Sequence, residues 1–297
     1  MSLSLFGLIF LLLHPAITSM NLRDPKTVVK KEENRPPMYT FFQMKLRRDG
    51  ALDSGGKHEE MLEAWSKAWY DRGWEPIVLN LEDAKKHPDF EHYSSRFENL
   101  TPDEAFIFGG SYNYMCLMRW LAIAAQRTDA FMSDYDTFPM HIKANDGHYL
   151  PNGGKFTVYE RVVPSLMSAS ASEWDSLAKQ VIENVLDKFE KEGTQGVYSD
   201  MYALEDVYKR SPNHAKAYIA ERRVDSYPYI SLHKMDCERT DNVLALHLSH
   251  AYTGRARDAG LIPESISDND RYLYSQMIMK DWKEQCSQQE DASNLRA

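Results

Sequence analysis

The 297-residue chain is short of cysteine, short of positive charge and nearly devoid of long apolar runs, and each shortage excludes something. Three cysteines, Cys116, Cys237 and Cys286, are an odd number without metal-type spacing. A formal net charge of −9 argues against a nucleic-acid partner, whose phosphates call for a basic surface. After the first residues no stretch is apolar enough to span a bilayer, which takes about 20 residues. Also missing are G-x-x-x-x-G-K-[ST], a strand-linked G-x-G-x-x-G, G-x-S-x-G and H-E-x-x-H, together with the chemistries they carry. No internal repeat and no interdomain linker is present.

What is there begins with an address. Leu3 to Leu13 is apolar apart from Ser4 and runs into His14-Pro15 and small or polar residues to Ser19. Residues 1–19 are read as a signal peptide or a short signal anchor. Residues 20–37 are polar and proline-flanked, a tether. Residues 38–286 are read as a single α/β domain, and 287–297 as a disordered polar tail.

Along that domain, Met38–Met44 has strand composition, and Met61, Trp65, Ala68 and Trp69 mark one face of a helix closed by Gly73. Ile77–Asn80 is the next strand, so the domain opens on a βαβ unit and a parallel sheet. Thr101–Glu104 looks like a helix start. Phe156–Glu160 and Val162-Val163 are strand-like. Ser165–Ser172 is small and hydroxylic, and precedes a helix whose face is Trp174, Leu177, Val181, Ile182, Val185, Leu186 and Phe189, with Ser172 as N-cap. A polar helix is expected from the acidic cluster at Asp200–Asp206 to about Arg223, late strands at Tyr229–Leu232 and Val243–Leu248, and a last helix from Ser267–Asp270 to Trp282. Cys237 and Cys286 can pair in an oxidising lumen if their geometry permits, which the sequence leaves open. Asn99-Leu100-Thr101 is a formal glycosylation sequon, weakened by Pro102.

The chain is organised around residues 111–140. Tyr114, Leu117, Met118, Leu121, Ala124 and Ala125 share a helix face, with Arg119 nearly opposite. Ala130-Phe131-Met132 suits a strand buried on both sides, ending at Ser133-Asp134-Tyr135-Asp136. Two carboxylates at i and i+2 of an extended segment point to one side, and a hard cation such as Mn²⁺ or Mg²⁺ resolves their repulsion. The alternative is a solvated acidic turn. Ligands of open α/β sheets bind beyond the carboxyl ends of the strands, where this pair falls.

A helix carrying Arg119-Trp120-Leu121, then an apolar strand ending in Asp134-Tyr135-Asp136, resembles the GT-A-fold glycosyltransferases. The likeness is greatest to the DxD sugar-binding family that includes the fungal initiation-specific α-1,6-mannosyltransferases. Cys116 stands where that family carries an acid, and Gln126–Asp129 replaces its glycine pair. The resemblance implies a GT-A, Rossmann-like fold with a mixed sheet flanked by helices. It also implies transfer of a hexose, with retention of configuration, from a nucleotide-diphosphate sugar to a glycan or glycoprotein acceptor in the Golgi or ER lumen, or by a secreted enzyme. No nucleic acid takes part, and a membrane only through the N-terminal anchor. In that scheme Asp136 ligates Mn²⁺ or Mg²⁺, Asp134 supports the ion and meets the donor's ribose or sugar, and His250 completes the coordination, with His247 as second choice. Arg119 reaches donor phosphate, so that its removal weakens donor binding and spares the fold. Ser168 and Ser170 run close to the donor sugar. Asp200, ahead of Glu205 and Asp206, grips or activates the acceptor. Two rivals remain: a secreted carbohydrate-binding or inactive GT-A-like protein, and a metal-dependent phosphatase, whose D-x-D-x-[TV] motif Phe138 breaks at its fifth position.

Overall fold

A computed structural model describes residues 34–44, 57–100, 111–192, 198–210, 217–226 and 237–286. The expected leader, most of the tether, the helix start at Thr101–Glu104, the strand at Tyr229–Leu232 and the tail from Ser287 lie outside those residues. So does Thr101 of the sequon. Everything below concerns the unit that starts at Arg35.

The opening βαβ unit forms as its pattern requires. Strand β1 (Pro37–Phe41) pairs in parallel with β2 (Glu75–Leu79), and helix α1 (His58–Asp71) connects them. Gly73 follows that helix with φ +87°, a left-handed position that costs glycine little. Helices α2 (Leu81–Ala84), α3 (Phe90–Leu100) and α4 (Ser111–Ala124) come before β3 (Ala130–Ser133). Then follow β4 (Thr137–Pro139), α5 (Ala144–His148), β5 (Thr157–Glu160), β6 (Val163–Ala169), α6 (Ala171–Glu192) and α7 (Asp200–Arg210). The chain continues through β7 (Ile219–Ala220), β8 (Val224–Asp225), α8 (Cys237–Thr240), β9 (Ala245–His247), α9 (His250–Asp258) and α10 (Arg271–Gln285).

The main sheet has the order β2-β1-β3-β6-β5-β7, and only β6 runs against the others. A smaller sheet, β4-β9-β8, begins beyond the turn that follows β3, with β4 antiparallel to β9. The protein is thus α/β with a mixed sheet flanked by helices on both faces. Strand alternation divides the core: Tyr39, Ala130, Met132, Val158 and Met167 face α3, α4, α6 and α7, while Met38, Phe131, Tyr159 and Leu166 face α1, α9 and α10. Among the described residues no helix is long and apolar enough to cross a membrane.

Four expectations change. The strand expected at Val162-Val163 runs on through the small, hydroxylic residues as a central strand, Val163–Ala169. Its serines tolerate burial because each has a partner: Ser165 Oγ donates to Glu160, and Ser168 Oγ meets the Tyr159 hydroxyl at 2.8 Å. Helix α6 starts one residue before the predicted cap, with Trp174 N–H donating to Ser170 O at 2.9 Å. The helix from Asp200 is described as Asp200–Arg210, and a strand lies at Ile219–Ala220 where a helix was expected. Finally, α4 is buried all round from Leu117 to Ala124, Arg119 included, because the sheet, α2, α6 and α7 all pack against it.

Close packing around α5 supplies a first prediction. A Cβ placed on Gly147 would lie 2.5 Å from both Pro36 Cβ and Trp74 Cζ3, two rigid groups. Gly147→Ala is expected to cost about 1–3 kcal/mol of stability by overpacking. Denaturant unfolding reads this directly, and a loss under about 0.5 kcal/mol would mean that the α5 backbone yields freely.

Candidate metal centre

The turn between β3 and β4 is held from several directions before any ligand is considered. Asp134 N–H donates to Ser165 O (2.9 Å), Thr137 N–H to Asp134 O (3.0 Å) and Leu248 N–H to Asp136 O (2.8 Å). Two tryptophans of α1 clamp its flanks: Trp65 Nε1 donates to Ser133 Oγ (2.9 Å) and Trp69 Nε1 to Thr137 O (3.1 Å). Because β9 pairs with β4 and puts His247 opposite Thr137, the imidazole arrives beside the two carboxylates.

Asp134, Asp136 and His247 each offer one ligand atom, and these atoms lie within 4.8 Å of one another. His247 Nε2 is 3.4 Å from Asp136 Oδ1 and 4.0 Å from Asp134 Oδ2. The opposite side of every ligand is engaged. Arg119 Nη1 donates to Asp134 Oδ1 at 2.6 Å, Arg271 Nη1 to Asp136 Oδ2 at 2.7 Å, and His247 Nδ1 lies 2.8 Å from Glu160 Oε2. Metal-binding imidazoles and carboxylates are commonly fixed from behind in this way, with the free atom presented to the ion. Two carboxylate oxygens and an imidazole nitrogen are a donor set that could hold a metal ion.

Protonation follows the same contacts. Burial pushes the Asp134 carboxyl up, against the opposing effect of Arg119, to about 6. Burial also works against ionised Asp136, but His247 and Arg271 outweigh it and hold that carboxyl well below its usual range. For His247, burial opposes the charge, yet Asp136 and Glu160 overcome it and raise the imidazole well above 6.5.

A cleft of about 560 Å³ opens over the group, within the roughly 300–1,000 Å³ usual for small-molecule sites. Its walls include Phe42, Met115, Tyr135, Asp200 and His250. It sits at the carboxyl ends of β1 and β3, where α/β sheets take ligands.

The residues singled out from the sequence divide three ways. Asp134, Asp136, Arg119 and Asp200 converge. Arg119, far from facing solvent, gives Nε and Nη2 to Asp200 Oδ2 (3.1 and 2.6 Å), and Trp120 Nε1 adds a third donor to that oxygen at 3.0 Å. Burial opposes the guanidinium charge, but Asp200 and then Asp134 overcome it and raise its pKa. The expectation that Arg119 can be removed without harm to the fold therefore does not stand. His250 lines the cleft but is the first residue of α9, with Ser249 as its N-cap, and His247 takes the place beside the aspartates. Ser168 and Ser170 are not brought to the site. Because β6 is antiparallel to β3, Ser168 lies opposite Phe131, and the chain is already leaving the far end of the sheet. Glu205 and Asp206 are spent on Lys209, Arg210 and Tyr198. Glu160 and Arg271 were not anticipated, since nothing local distinguishes a glutamate ending a strand or an arginine opening a helix.

Cys237 and Cys286 form a disulfide, and Cys116, half-buried and outside that bond, lies in the cleft wall.

No curated protein and no solved structure matches the chain. A family model described as Domain of unknown function (DUF8765) matches residues 10–253, a span that includes Asp134, Asp136, Glu160 and His247 and stops short of Arg271. That match covers most of the chain, which therefore belongs to the DUF8765 family.

Proposed function

We propose that the protein is a metal-dependent glycosyltransferase of GT-A type that moves a hexose from a nucleotide-diphosphate sugar to a glycan or glycoprotein acceptor. The observation that carries the reading is the convergence of Asp134, Asp136 and His247 in a cleft, each braced from behind, at the end of the central strand. The resemblance over residues 111–140 leads to the same place, with a late-sequence histidine beside the aspartate pair.

Charge supports the ion. Among the described residues, Asp134, Asp136, Glu160 and Asp200 pair with two guanidiniums, Arg119 and Arg271, and with His247. Ligation needs the imidazole to give up its proton, and with His247 then neutral two negative charges are uncompensated, which one divalent cation would balance. Mn²⁺ or Mg²⁺ suits the two carboxylates, and the imidazole favours Mn²⁺ of the two. When bound, such an ion supplies Lewis-acid stabilisation of a departing diphosphate.

The chain's own residues do the rest. Arg119 and Arg271 keep the carboxylates oriented, and Glu160 presents Nε2 of His247. Asp134, the more exposed aspartate of the pair, is placed to meet the donor's ribose or sugar. The described hydrogen bonds to the Asp200 carboxylate all fall on Oδ2, which leaves Oδ1 for an acceptor hydroxyl. The disulfide and the apolar N-terminus favour the oxidising lumen of the secretory pathway.

The experiment is slow donor hydrolysis. UDP-, GDP-, ADP- and CDP-hexoses are incubated with the protein and Mn²⁺ in the absence of acceptor. One donor class is expected to turn over, and EDTA to stop it. Hydrolysis of simple phosphomonoesters alone would replace this reading with a phosphatase, and no turnover of any donor would favour a binding protein.

A further inference from the structure

Arg271 stands apart from the other residues that brace the ligands. Arg119 and Glu160 belong to the central helix and the main sheet, whereas Arg271 is the first residue of α10, from the far end of the chain. It is 4% exposed and lines the cleft. Its Nη1 donates to Asp136 Oδ2 at 2.7 Å and also to Leu248 O at 3.0 Å.

The guanidinium is also unable to swing away. Tyr274, Ile278 and Trp282 bury α10 against α1 and α9, Lys57 pairs with Asp270 just before Arg271, and Cys286 beyond the helix end is tied to Cys237. A fixed positive charge directly behind an ion's ligand repels that ion. On grounds of metal affinity alone, an uncharged donor such as asparagine or glutamine would brace Asp136 at less cost. Besides keeping Asp136 ionised before any ion arrives, the charge leaves the loaded site able to accept something anionic that follows the ion into the cleft.

We propose that Arg271 sets the charge of the loaded site so that an anionic co-ligand of the diphosphate class can join the cation. The inference rests on the metal-site reading above. With Arg271 in place, a divalent cation brings the cluster to neutrality. Without it, the loaded cluster keeps one negative charge, which attracts free cation more strongly and repels a diphosphate. Arg271 is a positioning residue for Asp136 in geometry and a selector of metal-plus-anion over metal alone in charge.

The two effects have opposite signs, and a merely structural role would not separate them. The test is calorimetric titration of the full chain with Mn²⁺, then of the Mn²⁺-saturated protein with inorganic pyrophosphate. Arg271→Met is expected to bind Mn²⁺ about tenfold more tightly and pyrophosphate about tenfold more weakly, a screened charge effect. Arg271→Lys, which keeps the charge, is expected to stay near the unaltered protein in both titrations. Loss of both affinities in Arg271→Met, or no change in either, would overturn the proposal. If the unaltered protein binds no Mn²⁺, the metal reading itself fails and takes this inference with it, whereas unaltered Mn²⁺ binding with an unresponsive Arg271→Met removes the inference alone.

Discussion

Arg119→Ala is expected to lower the unfolding free energy by about 3–5 kcal/mol, the usual cost of leaving a buried charge without its partner. The arginine is 9% exposed, and its guanidinium bridges Asp200 on one edge and Asp134 on the other. Removing it takes two of the three described hydrogen bonds from Asp200, whose side chain is 5% exposed, and leaves that of the Trp120 indole. Lysine should recover part of the loss, because it restores the charge without the planar fork that reaches both carboxylates. Pairing Arg119→Met with Asp200→Asn should cost less than the sum of the single changes, since the asparagine needs no counter-ion and can still accept from Trp120. Chemical denaturation of the unaltered protein and these five variants measures all of this. A loss below about 1 kcal/mol for Arg119→Ala would return the side chain to solvent and undo the described cluster.

The disulfide should matter nearly as much. Cys237 and Cys286 are separated by 49 positions, and closing a loop of that length removes about 4 kcal/mol of chain entropy from the unfolded state. The Cys237→Ser, Cys286→Ser double variant is expected to lose an amount of that order, and the unaltered protein the same on full reduction. The loss should be read with EDTA present, so that a change in metal content does not add to it. If reduction leaves the unfolding transition unmoved, the bond contributes nothing to the fold that carries α10.

How much of this could be read from the residues depended on whether the signal was local. The opening βαβ unit and the long helix from Ala171 announce themselves through spacing, because one face of each is buried against a broad partner, and the strand that ends at Ser133 does so as a short apolar run buried on both faces. The aspartate pair was legible for the same reason, as two carboxylates at the end of an apolar strand. Strands β4 and β9 have three residues each, too few to show a period, so nothing revealed that they pair. Their pairing is what selects His247 over His250. Arg119 misled because helical spacing sorts residues into two faces, whereas α4 is covered on all sides and its arginine is satisfied by an acid 81 positions away. Glu160 and Arg271 reach the site only through tertiary contacts, 87 and 135 positions from the groups they hold. The serines of β6 gave no strand signal because their burial depends on partners in another strand, Tyr159 and Glu160.

The central proposal is that Asp134, Asp136 and His247 would hold a cation with which a nucleotide diphosphate binds. Thermal unfolding with UDP, GDP, ADP and CDP, each with Mn²⁺ and each with EDTA, tests it most directly. A ligand that binds only the native state adds about 2.7 kcal/mol at a hundredfold excess over its Kd. One nucleotide is expected to raise the midpoint with Mn²⁺ and not with EDTA. Asp136→Asn leaves Arg271 and His247 without their carboxylate, so its ligand-free midpoint should already be lower. The decisive readout is therefore the nucleotide-induced shift, which that variant should lose altogether. A midpoint unmoved by all four nucleotides in the presence of Mn²⁺, or a shift that survives both EDTA and Asp136→Asn, would contradict the account.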